Sequence, residues 1–310
     1  MKPVKVKPVK ALARGVRRRA SIARVAIGMA LTLGHFAPLG PAAGWAAESA
    51  PIIEITGEPV QSGLLIGRGP AGADVRVNGT RVRQSPEGIF LVGLDRDAPA
   101  ELVVEVRSRD GSAAQIRRLA VSPRTYDVQR IDGLPERSVT PKPEDVARIT
   151  ADSDALRKAR QRDSAHLALL SGFVWPLEGR ISGVFGSQRI LNGMPRQQHR
   201  GIDIAAPSGT PVRAMAGGTV SLAAPDMFFT GRTVAIDHGH GLSSIYAHLH
   251  AIDVEPGETI EAGRVIGKVG QTGRASGAHL HWGVSLFDAF LDPSLLARHP
   301  ALANALAQTN

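Results

Sequence analysis

Glycine recurs every few residues through the second half of this chain, a spacing that long helices do not tolerate and short strands joined by tight turns require. Gly179, Gly183, Gly186, Gly193, Gly201, Gly209, Gly217 and Gly218 are followed by many more up to Gly283. Between them stand β-branched and aromatic runs: Thr233–Asp237, Leu242–His248 and His279–Val284. Short strands with glycine turns predict an antiparallel sheet or barrel-like core.

The region from residue 50 to about 125 also reads as strands. Pro51–Thr56, Gly63–Gly67, Ala73–Val77, Gly88–Val92 and Glu101–Val106 are short and often alternating. Asn78-Gly79 and Asp110-Gly111 lie between such runs, and these dipeptides favour two-residue hairpin turns. The spacing predicts a small immunoglobulin-like β-sandwich. It carries no cluster of titratable groups and reads as a structural or positioning module. From Pro141 to Leu170 the pattern changes to Ala, Arg, Asp and Leu after a Pro-Lys-Pro-Glu-Asp start, as helix N-termini favour. Its apolar positions Val146, Ile149, Leu156, Leu167 and Leu170 are sparse, which predicts a solvated linker helix resting one face on a domain.

Nine Lys or Arg and no acid fall in residues 1–46, ahead of a short apolar run and small residues ending at Ala46. That is the pattern of a secretory signal peptide, and its apolar run is about half the length of a membrane span. Its removal takes His35 with it and changes the charge. The whole chain has 37 Lys+Arg against 28 Asp+Glu, and without those nine the balance is 28 against 28. The basicity belongs to the targeting segment and is no argument for nucleic-acid binding. The expected organisation is a signal peptide over 1–46, an N-terminal β-domain over 47–135, a helical linker over 136–172, a C-terminal β-sheet domain over 173–298 and a tail over 299–310. The fold class is therefore mainly β.

Cysteine is absent, which excludes thiolate zinc sites, disulfides and cysteine nucleophiles. What remains is histidine and carboxylate chemistry, concentrated in His199-Arg-Gly-Ile-Asp203, Tyr246-Ala-His248-Leu249 and His279-Leu-His281. These are the parts of a hydrolytic metal site with three protein ligands and an open position. His279 and His281, two apart in a strand, share a face about 6.5 Å apart. That suits one ligand and one neighbouring acid/base better than two ligands. His199 and Asp203 would lie about 13 Å apart in an extended strand, so a turn permitted by Gly201 is expected to bring them together. Pro207, Gly209 and Pro211 argue for a loop entering a strand rather than a helix. Taken singly, each of these residues also has an ordinary structural role open to it. His238 is expected to fix a loop, and His166, His240, His250 and His299 to be surface or structural.

The stretches H-R-G-I-D-I-A-A-P-x-G-T-P-V, I-D-H-G-H-G-L-S-S-I-Y-A-H-L, V-E-P-G-E-T-I and G-A-H-L-H-W-G-V resemble the lysostaphin/LytM-type zinc metallopeptidases over residues 173–293. These are cell-wall endopeptidases with a compact antiparallel β-sheet and a groove across it. The resemblance implies that His199, Asp203 and His281 bind one Zn2+ per chain. His248 and His279 would flank the site as catalytic acid and base, in either assignment. It implies hydrolysis of peptidoglycan stem-peptide cross-links by an exported, periplasmic protein, with D-Ala–diaminopimelate and glycine bridges both cut within the family. Residues 187–198, 223–232 and 285–292 are expected to form the loops that decide between them. Met227-Phe228-Phe229 reads equally as groove wall or core anchor. A cell-wall or divisome protein is the expected partner of the N-terminal β-domain. The other readings are a non-catalytic factor that binds and activates a wall amidase, and a latent enzyme capped by Asn192 or a glutamine of segment 187–198.

Overall fold

The computed structural model describes residues 53–111, 113–132 and 142–302, and they are mostly β. The targeting segment predicted at 1–46, and the tail beyond 302, lie outside the described residues. No helix among those described is long and apolar enough to cross a membrane.

The first region contains strands β1 (Glu54–Thr56), β2 (Leu64–Arg68), β3 (Asp74–Val77), β4 (Thr80–Arg81), β5 (Ile89–Gly93), β6 (Glu101–Arg107) and β7 (Ala114–Ala120). They form two sheets of order β1-β2-β5 and β4-β3-β6-β7. Lettered by chain order this is A-B-E against C′-C-F-G, the immunoglobulin-like arrangement. Alternation explains the packing. In β6, Leu102, Val104 and Val106 are buried while Glu101 and Arg107 are exposed, and they meet Leu65, Phe90 and Val92 from the other sheet. Asn78 and Gly79 turn the chain between Val77 and Thr80 with φ of 47° and 80°, the left-handed pair of a type I′ turn. Asp110-Gly111 instead sits inside a longer connection between Arg107 and Ala114, so no two-residue hairpin forms there. β7 escaped sequence reading because none of its residues is buried and Ile116, Arg117 and Arg118 in succession are exposed, which leaves no apolar alternation.

Beyond it come β8 (Val128–Ile131) and helix α1 (Pro143–Arg160). The helix starts with Pro143 beside Glu144 and Asp145 and ends with Arg157, Lys158 and Arg160, charges matched to the helix dipole. Only Ala159 of it is buried. It ends ten residues earlier than the predicted segment, and a 3₁₀ turn follows at Ala168–Ser171.

The remaining strands are β9 (Arg180–Gly183), β10 (Gln188–Leu191), β11 (Met194–Pro195), β12 (Ile202–Ala205), β13 (Pro211–Arg213), β14 (Gly218–Met227), β15 (Gly231–Gly239), β16 (Leu242–Ile252), β17 (Thr259–Ile260), β18 (Val265–Val269), β19 (His279–Leu286) and β20 (Ala289–Leu291), before the short helix α2 (Pro293–Leu296). Ten of them make one sheet whose main path is β17-β14-β15-β16-β19-β12-β9, with β13 and β18 paired together, β18 also on β16, and β20 on β19. Trp282, Tyr246, Phe173, Ile202, Ile204 and Ile236 fill its core. Leu64, Ile66 and Leu91 of the N-terminal sandwich belong to this same core. Arg124–Asp292 at 2.8 Å fastens the two regions further, and Arg83–Asp163 at 2.6 Å ties the sandwich to the segment that follows α1.

Two of the expected loops are largely strand. Residues 223–232 close the β14–β15 hairpin and 285–292 carry β20. Segment 187–198 holds the β10–β11 hairpin, on which β8 lies in parallel. In the hairpin tip Met227 is buried, and Phe228 stacks edge-on against Phe229 at 4.9 Å. Helix α1 clamps this tip: Phe228 N donates to Asp152 Oδ2 at 2.7 Å and Arg148 pairs with Asp226 at 2.7 Å.

Candidate metal centre

The site is assembled by three strand features. The first is register. In the β12–β19 ladder Asp203 stands directly opposite His281, and antiparallel partners bring their side chains to one face within contact. Asp203 Oδ1 lies 2.9 Å from His281 Nδ1.

The second is close approach at the entry to β12. His199 precedes the strand, and its Nε2 lies 3.0 Å from both Asp203 Oδ1 and His281 Nδ1. Gly201 is needed here for a reason other than the expected one. It is not among the residues with positive φ. A Cβ on it would meet Trp282 O at 2.4 Å and His281 Cε1 at 2.9 Å, so its missing side chain lets the loop lie flat on β19.

The third is a strand that changes partners. Up to Ala247, β16 pairs with β19; from Leu249 it pairs with β18. His248 sits at the switch with φ of 62°, an uncommon conformation for a non-glycine residue and one that re-aims its side chain. Its backbone N donates to Thr230 O at 2.8 Å, and its Nδ1 lies 2.8 Å from Thr272 O. His279 Nδ1 lies 2.8 Å from Gly277 O. Both rings therefore donate Nδ1–H to a carbonyl and keep Nε2 available. Their centroids are 4.7 Å apart, and His279 Nε2 is 3.9 Å from Asp203 Oδ1. All five predicted residues thus share one cluster.

The donor set fits a cation. His199 Nδ1 lies 2.9 Å from Val184 O; donating there, a neutral ring turns a bare lone pair on Nε2 toward the carboxylate and the third ligand atom. Convergence of such atoms is repulsive without a positive charge between them. The three candidate ligand atoms lie 2.9–3.0 Å from one another, a little inside the roughly 3.3–3.6 Å that tetrahedral zinc bonds of about 2.0–2.2 Å set between ligand atoms.

In the metal-free chain, burial opposes the carboxylate charge of Asp203, but hydrogen bonds from His199 and His281 outweigh it and hold the group well below the usual range. His199 is raised: burial disfavours its charge, and the hydrogen bond and charge of Asp203 overcome that. His281, half-buried, is lowered by that burial despite the same carboxylate. Burial pushes His248 down to about 4, aided by the fields of His281 and His279. It is a neutral base at neutral pH.

The other histidines divide. His250 and His166 are exposed. His238 is fully buried in β15, with Nδ1 2.6 Å from Gly217 O and Nε2 2.7 Å from Ser244 Oγ, and so supports the core of the sheet rather than a loop. His240 and His299 are buried, hence structural and not surface. Of the glutamines in segment 187–198, Gln188 Nε2 donates to Arg196 O at 2.8 Å, and the Gln197 amide oxygen accepts from Arg200 Nη1 at 2.7 Å. Residues that hold the site through backbone carbonyls (Val184, Thr230, Thr272, Gly277) escaped sequence reading, because a carbonyl acceptor leaves no mark on residue type.

Comparison with known proteins bears on this geometry. The profile of "Peptidase family M23" matches residues 197–293. A crystal structure of a Pseudomonas aeruginosa protein assigned to peptidase M23 is 34% identical, with 77% of this chain and 95% of that one covered and a TM-score of 0.60. The DD-carboxypeptidase/endopeptidase Mpg of Neisseria meningitidis is 43% identical over 103 residues, 33% of this chain and 24% of Mpg. The peptidoglycan DD-endopeptidase ShyA of Vibrio cholerae is 34% identical over 134 residues, 42% of this chain and 28% of ShyA. The match thus spans about a quarter of the length of these curated relatives.

Proposed function

The chain belongs to peptidase family M23, and on that premise we propose that it is a zinc-dependent metalloendopeptidase that hydrolyses peptide cross-links of peptidoglycan, exported to the periplasm. The observation that carries this reading is the complete set of five side chains on one face: His199, Asp203 and His281 as ligands, His248 and His279 beside them. A non-catalytic amidase-activating relative would have no need of both the donor triad and two oriented imidazoles.

Zinc held by the triad would supply Lewis-acid polarisation of the scissile carbonyl and a water acidic enough to react near neutral pH. The chain's own contribution is orientation and proton handling. With Nδ1–H committed to Thr272 O, His248 presents Nε2 as an acceptor, and its lowered basicity keeps that lone pair free at neutral pH. His279, fixed in the same tautomer by Gly277 O, is placed to serve the leaving amine or the developing oxyanion. The strained backbone at His248 and the two carbonyl anchors supply the preorganisation that such transfers require.

The test is metal content of the purified protein together with release of muropeptides from purified sacculi, with and without a chelator. One zinc per chain and chelator-sensitive cleavage are expected. Zinc without cleavage would turn the reading to a latent or accessory factor.

A further inference from the structure

Helix α1 is seated with little apolar contact, since Ala159 is its one buried residue, so its polar bonds carry what it does to the sheet. One of them reaches the turn that holds His248. The β14–β15 ladder ends at the pair Met227–Gly231, and the Phe228 amide lies just past it. Asp152 Oδ2 accepts from that amide at 2.7 Å. A carboxylate on a backbone N–H makes a charge-assisted bond, about twice as strong as a neutral one. The Arg148–Asp226 pair beside it is exposed on both sides and contributes little.

The turn beyond is fastened to both anchors of His248. Thr230 O, two residues on from Phe228, accepts from His248 N at 2.8 Å, and Phe229 O accepts from Arg274 N at 2.9 Å. Arg232 N donates to Thr272 Oγ1 at 2.9 Å, while Thr272 O is the carbonyl that takes the His248 ring Nδ1–H at 2.8 Å. The two segments meet backbone on backbone: a Cβ on Gly231 would lie 2.5 Å from Gly273 N, and one on Gly273 would lie 2.6 Å from Phe229 O. With no side chain between them to yield, a displacement of the turn carries residues 272–274 with it. His248 itself has φ of 62°, a conformation that persists only while its surroundings enforce it.

We propose that Asp152 is a positioning residue for His248: by pinning the 228–231 turn from outside the sheet, it fixes the Thr230 and Thr272 carbonyls and, through them, the tautomer and aim of the imidazole. Asp152 touches no reacting atom. Its effect on turnover rests on the peptidoglycan reading above, whereas its hold on the ring does not.

The experiment compares the full chain with Asp152→Ala, Asp152→Asn and Asp154→Ala. Ring-nitrogen NMR spectra of histidine-labelled protein in chelator, assigned with His248→Gln, read the tautomer of His248. Steady-state kinetics of the zinc-loaded protein on a soluble stem-peptide dimer read kcat and KM. The wild type is expected to show His248 as the Nδ1–H tautomer alone. In Asp152→Ala the ring should populate both tautomers and kcat should fall by roughly tenfold or more, the scale of a misplaced catalytic group, with KM and zinc content unchanged. Alanine has the higher helix propensity, so this substitution removes the bond without weakening α1. Asp152→Asn keeps an acceptor for Phe228 N and should recover most of the loss. Asp154→Ala removes only an ion pair with Arg157 within the same helix and should match the wild type in both readouts. A wild-type tautomer and kcat in Asp152→Ala, or equal losses in Asp154→Ala, overturn the proposal. No turnover in any of the proteins, with the tautomer changed in Asp152→Ala alone, would remove the endopeptidase reading and leave this one standing.

Discussion

Asp203 and His281 stand directly opposite one another in the β12–β19 ladder, with Oδ1 and Nδ1 2.9 Å apart. A register pair is a rigid way to present two ligands, because the ladder fixes the backbone from which both side chains project. Asp203→Ala and His281→Ala are each expected to abolish stoichiometric zinc and all muropeptide release, checked by elemental analysis and product chromatography. Zinc retained at one per chain in either variant would remove that residue from the ligand set.

His248 is held outside the triad by Thr230 O and Thr272 O. His248→Ala should keep zinc and lose roughly a hundredfold or more in kcat, the usual worth of a positioned general base or acid. Steady-state kinetics on a soluble stem-peptide dimer reads this directly; full turnover would exclude His248 from the proton transfers.

Gly201 touches the carbonyl of Trp282 and the ring of His281. Backbone cannot yield to a methyl group, so Gly201→Ala is expected to displace the His199 loop, weaken zinc affinity by at least tenfold and cost about 1–3 kcal/mol as an overpacked site. A competitive zinc titration and a urea unfolding curve measure the two effects. Wild-type values in both would show that the loop does not depend on this contact.

His238 makes the protein acid-sensitive independently of the metal. Burial, the dominant effect, lowers it from 6.5 to about 4, while Nδ1 bonds Gly217 O and Nε2 meets Ser244, itself 3.1 Å from the Tyr246 hydroxyl. Between these two values the unfolded chain binds the proton and the folded one does not. The stabilisation is therefore complete above about pH 6.5 and is lost as the pH falls toward 4, by up to about 3 kcal/mol. In chelator, the stability of His238→Gln should fall less steeply across this window than that of the wild type. Parallel urea-derived curves for the two proteins would contradict it.

How much of this was legible in the residues differs from part to part. Alternation in β6 and the Asn78-Gly79 turn announced the N-terminal sandwich, because a strand with one wet face must alternate and a tight hairpin needs left-handed backbone. The exposed β7 did not announce itself, being specified by its pairing with β6 rather than by an apolar alternation of its own. Helix α1 was readable from its charged ends, whereas its hold on the β14–β15 hairpin through Asp152 and Arg148 was not.

The identities of His199, Asp203, His248, His279 and His281 are a property of the sequence alone. So are the absence of thiol chemistry and the even balance of charge outside residues 1–46. Tertiary structure decided which atoms of those residues meet. Residue type says nothing of which strand lies opposite Asp203, that β16 exchanges β19 for β18 at His248, or that carbonyls of Val184, Thr272 and Gly277 fix three imidazoles. The distances depend on contacts between residues up to 82 positions apart, and hydrogen bonds to backbone oxygen are open to every sequence. Only the packed sheet selects among them.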